Sequence, residues 1–520
     1  MPKTLGQRSK MRVVIKNIII VSVVSVFQYC YGQSNKITPE AWVADIDYLE
    51  SNVTQTFPDF DSNPGSKKFL QEITSLKEGL ASKSEMEILF GIQKALGVLG
   101  DDGCNILPFQ EAISTKLLPI SMYPFEDGWY ICDAKNKSLI GEQITHLDGV
   151  AIAEVFEKMK WYLNADNAFY RQRLFGAYGL IPDLLRVSGI KGSESMVSVH
   201  LASGKTVSVD AEGLSEYSKL NRKLPNDGYF LLSQTDRENE NYWFEYFPES
   251  NTLFVQFQQI SNNKKGPSFS KFIGLIKEEI KSGKAQKIIL DVRYGGGGNG
   301  FKLKSLTDLL RESDQINQKG NLIILTSKTT KGTLLELSSI LRLNTKAVLI
   351  GEPTGEGPNT VGDVKYVELP NSKIKVSLTK IFWPTSWSFD QRTTLEPDVA
   401  IAYSHELYQK GEDPWLTKAT TYEVEEEKKV LDGQLIEALV GSYKINGRKV
   451  SIKKEYGKLW IQMNRKIKSF FEINTELFSE QEGVLGTNIK NVKLHYSKSE
   501  DGEIYPSTLE WKSNMLPIER

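Results

Sequence analysis

ILTSKTTKGTLLELSSIL, residues 324–341, decides how the middle of the chain is read. It opens as a buried strand, passes through a polar turn and enters a helix at Lys331-Gly332-Thr333. A strand-to-helix turn of this kind is where many hydrolases display a nucleophile. The helix start offers free N–H groups and a positive dipole end to an incoming oxyanion. Here a glycine stands where a nucleophilic side chain would be useful.

The same alternation extends on both sides. Upstream lie the strand NTLFVQFQQI (251–260), the helix FSKFIGLIKEEI (269–280), the strand KIILDVR (287–293) and the helix GFKLKSLTDLLRE (300–312); downstream comes the strand KAVLIGE (346–352). Strands rich in Val, Ile and Leu that alternate with helices imply parallel βαβ units covered on both faces, an α/β core. Before this block, ITPEAWVADIDYLESNV places Thr38 as an N-cap, Pro39 at the first helical position and Trp42, Ile46, Leu49 and Val53 on one stripe. With the second helical run SEMEILFGIQKALGVLG, residues 33–115 read as a helical cap. Short β-like runs around a helical AIAEVFEKMKWYL make residues 116–215 a β-rich module. The core covers 225–415, and EVEEEKKV (423–430) reads as a solvated linker. Turns at Asn446-Gly447, Tyr456-Gly457 and Asp501-Gly502 mark 433–520 as a small antiparallel β domain.

At 520 residues the chain is long enough for several such domains. Its 64 basic and 65 acidic residues leave no field to attract nucleic acid or an anionic membrane. The start is different. Lys3, Arg8, Lys10, Arg12 and Lys16 precede the apolar run NIIIVSVVSVF (17–27), and small Gly32 marks a cleavage point before Gln33. Residues 1–32 therefore read as a signal peptide, with an uncleaved membrane anchor as the alternative, and the expected location is the periplasm, cell envelope or extracellular space. Cys30 lacks a small residue before it, which disfavours a lipid acceptor. Cys104 and Cys132 remain, enough for one bridge and too few for a four-cysteine zinc site.

The loop DVRYGGGGNG (291–300) contains a formal G-x-G-x-x-G at Gly295, Gly297 and Gly300. The strand after the next helix ends in Leu325-Thr326-Ser327, with no acidic residue to hold a ribose, so dinucleotide binding is disfavoured. A tight turn is the plain reading; bare N–H groups that line an oxyanion hole or hold an extended peptide are the functional one.

Three segments in order carry a resemblance: the glycine loop, the turn at 326–333 and GEPTGEGPNTVGDVKYVELPNSKIKVSLTKIFW (351–383). They resemble the tail-specific, or C-terminal processing, serine peptidase family in its tricorn-core-like branch. That family has D-x-R-x-N-x-G-G-N, then T-S-R-x-T-F-S-A-A, then G-E-P-T-G-G-x-P-N-x-x-G and a closing P-D-I. This chain offers Asp291, Arg293, Gly297, Gly298 and Asn299; Thr326, Ser327, Lys328 and Thr330; Gly351 to Gly355, Pro358, Asn359 and Gly362; and Pro397, Asp398 and Val399. The resemblance implies a ClpP/crotonase-like spiral core. It also makes residues 116–215 similar to a PDZ-like module, with HLDGVAI (146–152) at its usual turn.

The departures set the functional expectation. The resemblance places Gly332 on the nucleophilic serine, Cys104 on the histidine, Gly295 on the loop asparagine and Glu356 near the lysine of the Ser-Lys variants. His146, His200, His405 and His495 lie in no base-bearing motif. A serine without a base is weak at neutral pH, and glycine has nothing to attack with. The expected function is therefore that of a degenerate serine peptidase, an exported pseudoenzyme that binds an extended peptide or protein C-terminus. Gly296, Gly297, Thr333 and Asn359 are the expected peptide or oxyanion contacts. No cofactor, metal or nucleic acid is expected, and a membrane only through an uncleaved leader. The alternatives are an active serine-type peptidase with non-standard residues, such as Thr333 or Cys104 as nucleophile, and a purely structural envelope protein. Trp383, Trp387 and Phe389 are candidates for a groove wall or for core aromatics.

Overall fold

The computed structural model describes residues 37–520 apart from 108–109, 111–112, 114, 191–194, 221–239, 387–389, 425–430, 456–457, 464–472, 490 and 512. The expected leader, Trp387 and Phe389 lie outside the described residues. Among the described residues no helix is long and apolar enough to cross a membrane.

The centre is a six-stranded sheet in sequence order: Tyr242–Phe247, Thr252–Phe257, Lys287–Asp291, Leu322–Thr326, Val348–Gly351 and Val399–Ala400. The first pair is antiparallel and the rest run parallel. Alternation along each strand sends side chains to opposite faces, so an unbroken apolar run serves two cores. Leu253, Val255, Ile288, Leu290, Leu322 and Ile324 pack under the helices Phe269–Lys281, Leu303–Glu312 and Gly332–Asn344. Phe254, Ile289, Ile323, Leu325, Val348 and Ile350 face Tyr123, Phe125, Tyr403, Trp415 and Leu416. The βαβ reading of 251–352 is the observed one.

The first helix is Pro39–Thr56, and the Thr38 hydroxyl accepts from Ala41 N at 3.2 Å as its cap. Glu85–Gly97 begins with a Ser84/Glu87 capping box. Between them a further helix, Ser66–Glu78, escaped the sequence reading. An antiparallel sheet follows, ordered Ile120–Phe125, Gly128–Ala134, Gln143–Leu147, Met196–Leu201, Thr206–Asp210. Two helices inside that module, Ala168–Tyr178 and Pro182–Val187, were also unforeseen. The long hairpin Asn359–Glu368/Lys375–Pro384 leaves the central block, and its Val367, Leu369, Val376 and Leu378 join the core of the helices and the antiparallel sheet. This docking draws residues 101–106 against the hairpin, with Asn105 paired opposite Ser377.

Eight strands between Gly441 and Glu519 form a closed barrel in which Gly441–Ile445 pairs with Asn514–Glu519. Closure leaves no free edge. Asn446 and Gly447 both take positive φ, as a two-residue hairpin turn requires. Leu343, near the end of helix Gly332–Asn344, belongs to the barrel core. That helix is therefore buried nearly all round: it is covered by the sheet on one side and the barrel on another.

Candidate functional site

Strand Lys287–Asp291 ends in the glycine loop, and strand Leu322–Thr326 ends in the turn that starts helix Gly332–Asn344. The motif residues at these strand ends act as stitches. Arg293, 1% exposed, makes two parallel bonds to Asp291 (Nε to Oδ1 2.9 Å, Nη2 to Oδ2 2.8 Å) and two to Asp413 (3.0 and 2.8 Å). Ser327 Oγ donates to Arg293 O at 2.7 Å, and Thr330 Oγ1 donates to Val292 O at 2.9 Å. The two loops are thus tied before either reaches the cleft. A short bridge then pairs Gly296 with Lys331, and another pairs Gly298 with Ile260.

The glycines are there for close backbone approach. A Cβ on Gly295 would stand 2.0 Å from Gln258 O, and one on Gly298 would stand 2.6 Å from Ile260 N. The same holds at the helix start. Gly332 has φ +54°, and a Cβ there would meet Gly297 N at 2.6 Å. A serine cannot be set on this backbone unless the glycine loop withdraws.

Above these loops opens a cavity of about 590 Å³, in the range of ligand sites. Gly295 to Gly298, Lys331 to Thr333, Asp102, Gly103 and the hairpin residues 360–364 border it. Of the four expected contact residues, Gly296, Gly297 and Thr333 line this cavity. Asn359 lies instead on an adjoining cavity of about 310 Å³. Its amide is committed to fixing a loop: Nδ2 donates to Asp390 O at 3.0 Å, and Oδ1 accepts from Ser386 N at 3.1 Å.

The helix start is already occupied by a side chain of this chain. Gly332 N donates to Glu356 Oε2 at 2.7 Å, so a buried carboxylate sits where an oxyanion would be received. Lys331 Nζ pairs with the other oxygen of Glu356 at 3.4 Å and with Asp102, and it lies 4.5 Å from the centre of the Tyr170 ring. The resemblance puts a lysine near residue 356. Here the carboxylate stands there, and the ammonium comes from the residue before Gly332.

Asp102 and Gly103 share the cavity lining with Gly332. Cys104 itself does not line the cavity. It is fully buried, with Sγ 3.3 Å from Thr379 Oγ1. Burial, reinforced by the charge of Asp101, holds it well above the usual thiol range, which disfavours a thiolate nucleophile. None of the four histidines lines the cavity. His405 stacks on Tyr130 at 4.0 Å, His146 and His200 pair across two antiparallel strands, and His495 meets Glu510 in the barrel.

Behind the cavity, carboxylate oxygens of Asp101, Asp102 and Asp166 lie within 4.8 Å of one another, a spacing that would suit a cation. Asp101 already accepts from Thr379 Oγ1 (2.5 Å), Gly103 N and Cys104 N, and Asp102 has Lys331. Asp166 Oδ2 is buried and takes no hydrogen bond. Burial, with the charges of Glu356 and Asp101, pushes the Asp166 carboxyl well above the usual range. Lys331 stands where a metal would be asked to balance this charge. Lys331, Asp102 and Asp166 were not picked out from the sequence, although Lys331 adjoins Gly332 and Asp102 lies two residues before the position read as the histidine; Glu356 was named only as the residue near the lysine of the Ser-Lys variants.

No family model matches the sequence, and no curated protein matches it either. Comparison of folds is decisive. A crystal structure of a serine-to-alanine mutant of CPAF matches with TM-score 0.53 and 13% identity, over 74% of this chain and 96% of that one. Mature CPAF complexed with lactacystin gives 0.51 and 13%, over 74% and 98%. The chain has the tail-specific peptidase fold. The photosystem II D1 C-terminal processing protease matches at 14% identity over 69% of this chain and 93% of its own, with TM-score 0.34. Within the tail-specific fold, the elements around the cleft of this chain are the strand-end stitches, the glycine loop and the helix start.

Proposed function

We propose that this protein is a degenerate member of the tail-specific peptidase family that holds an extended peptide or protein tail in the cavity and does not cut it. The observation that carries this reading is the Glu356 carboxylate bonded to Gly332 N at the head of helix Gly332–Asn344. A hydrolytic site needs that N–H for the developing oxyanion, needs a nucleophile above it and needs a base within reach. Here the N–H is filled, residue 332 has no side chain, and the cavity lining contains no histidine. Main-chain capture needs none of these groups, since an extended peptide binds through its own N–H and C=O.

The basic start and apolar run at 17–27 support export, and recovery of the mature chain with Met1 intact would remove that part of the reading. For the central part, the purified protein is incubated with a mixture of unstructured peptides, which are then recovered and sequenced by mass spectrometry. Retention with unchanged termini is expected. The second reading is an active peptidase that uses Thr333, which lines the cavity one residue further along. It predicts new termini that vanish in Thr333→Ala, and such a result would replace the first reading.

A further inference from the structure

We infer that the outer face of the antiparallel sheet carries an exchangeable site for a divalent transition ion of the zinc and copper class, held by His146 and His200. The inference is independent of what the cleft does. Strand Gln143–Leu147 carries a bulge between Ile144 and His146. Ile144 and Leu147 both turn inward to the core, so Thr145 and His146 stand together on the outer face. On the next strand, Met196–Leu201, the side chains of Val197, Val199 and Leu201 are buried, and Met196, Ser198 and His200 take the outer face. His146 is paired directly opposite His200. Directly opposite residues on one face have Cβ atoms about 4.5–5.5 Å apart, so the two imidazoles share one patch of surface.

The hydroxyl groups around the rings prepare the imidazoles as ligands. Thr145 Oγ1 donates to His200 O at 3.2 Å, so toward His146 Nδ1, 3.0 Å away, it can only accept. The hydrogen of neutral His146 therefore sits on Nδ1, and Nε2 keeps its lone pair. Thr206 Oγ1 lies 3.2 Å from His200 Nδ1 and can accept there in the same way. The other contact of His200, Ser198 Oγ at 3.4 Å from Nε2, is long, and an ion displaces it while the hydroxyl turns to water. A histidine that ligates metal usually has its second ring nitrogen held in this manner. An ion about 2.0–2.1 Å from one nitrogen of each ring sets the ring centres about 5–6 Å apart. The observed separation is 5.7 Å. The ring planes are inclined at 62°, and the broad χ2 torsion of histidine lets each ring turn to aim its nitrogen. Two imidazoles, with water in the remaining positions, suit Zn²⁺, Cu²⁺ or Ni²⁺ and not the oxygen-seeking Ca²⁺ or Mg²⁺. Two protein ligands hold an ion that exchanges, unlike the four that close a structural zinc site.

The test titrates the untagged whole protein with zinc chloride by isothermal calorimetry, in a buffer that does not bind metal, alongside His146→Gln, His200→Gln and the double substitution. Both positions are half-buried on the outer face, and a thermal melt without metal checks that the variants are folded. A single zinc ion per chain is expected, with micromolar affinity. Each single substitution should weaken it roughly tenfold or more. The double substitution should cost no more than either single one, because one imidazole alone makes no chelate. Copper(II) added to the unmodified protein gives a readout that needs no variant: its electron paramagnetic resonance spectrum should show coupling to two imidazole nitrogens. No binding at millimolar zinc, or coupling to fewer than two imidazoles, overturns the inference. So does binding that persists in the double variant, which places the ion elsewhere, with the Asp101, Asp102 and Asp166 carboxylates as the alternative.

Discussion

Glycine at 332 is a consequence of crowding as well as of a missing nucleophile. The left-handed backbone and the approach of Gly297 N leave no room for a Cβ, so returning a serine alone does not rebuild a site. Nor does histidine at 104 suffice, because Cys104 is fully buried behind Thr379, a residue of the cavity wall, and the larger ring has to displace that packing to reach the cavity. Asp166 is the other residue whose surroundings have a measurable consequence. Its carboxyl is raised in the folded state by burial, then by Glu356 and Asp101, so folding holds its proton more tightly than the unfolded chain does. The stability it contributes is complete below the unfolded value, near 4, and is lost as pH rises through the folded value. Asp166→Asn cannot ionise, and it brings a donor to a place where the buried oxygen has none. The variant should match the parent near pH 4 and exceed it by about 1–3 kcal/mol at neutral pH and above. Denaturant unfolding across the pH range checks this, and a variant less stable at pH 8 would show that Asp166 is better satisfied than its geometry implies.

At the scale of elements, the D-x-R and T-S-x-x-T patterns are fasteners of the two crossover loops. Arg293 is enclosed between Asp291 and Asp413, so removing it leaves two buried carboxylates face to face. Arg293→Met should cost about 3–5 kcal/mol, and Arg293→Lys should recover only part, since an ammonium cannot make both bidentate pairs. Thermal unfolding followed by circular dichroism reads the loss; a cost below about 1 kcal/mol would mean that the clamp is not what holds the glycine loop. These strand ends were legible because apolar runs stop at glycine or at short polar residues, which mark a turn whatever the tertiary context. Ser66–Glu78, Ala168–Tyr178 and Pro182–Val187 were missed for the opposite reason. The first is highly charged along SKKFLQEITSLKE, and the second, AFYRQRLFGAY, mixes aromatic and basic residues without a clear stripe. In the first a stripe of Phe69, Ile73 and Leu76 was nevertheless there to be read, whereas the second owes its helicity to packing against neighbours that local pattern does not reveal.

In the whole molecule, the α/β centre could be read from hydrophobic period alone, and the C-terminal β domain from its turns, although nothing local announced that eight strands would close into a barrel. The acidic cluster and the Lys331–Glu356 pair were invisible for a related reason. They join residues near 101, 166, 331 and 356, which come together only when the hairpin docks on the helical cap. That docking also sets the character of the cleft: the hairpin brings Thr379, and with it residues 101–104, up to a helix start whose N–H is closed by Glu356. The cleft is proposed to bind a peptide and not to cut it. Its most direct test is exposure of the intact wild-type protein to a fluorophosphonate probe, followed by tryptic mapping of any adduct. The account predicts no adduct at any residue bordering the cavity, under conditions in which a known serine peptidase is labelled to completion. An adduct on Thr333 that disappears when the protein is denatured before exposure would contradict it.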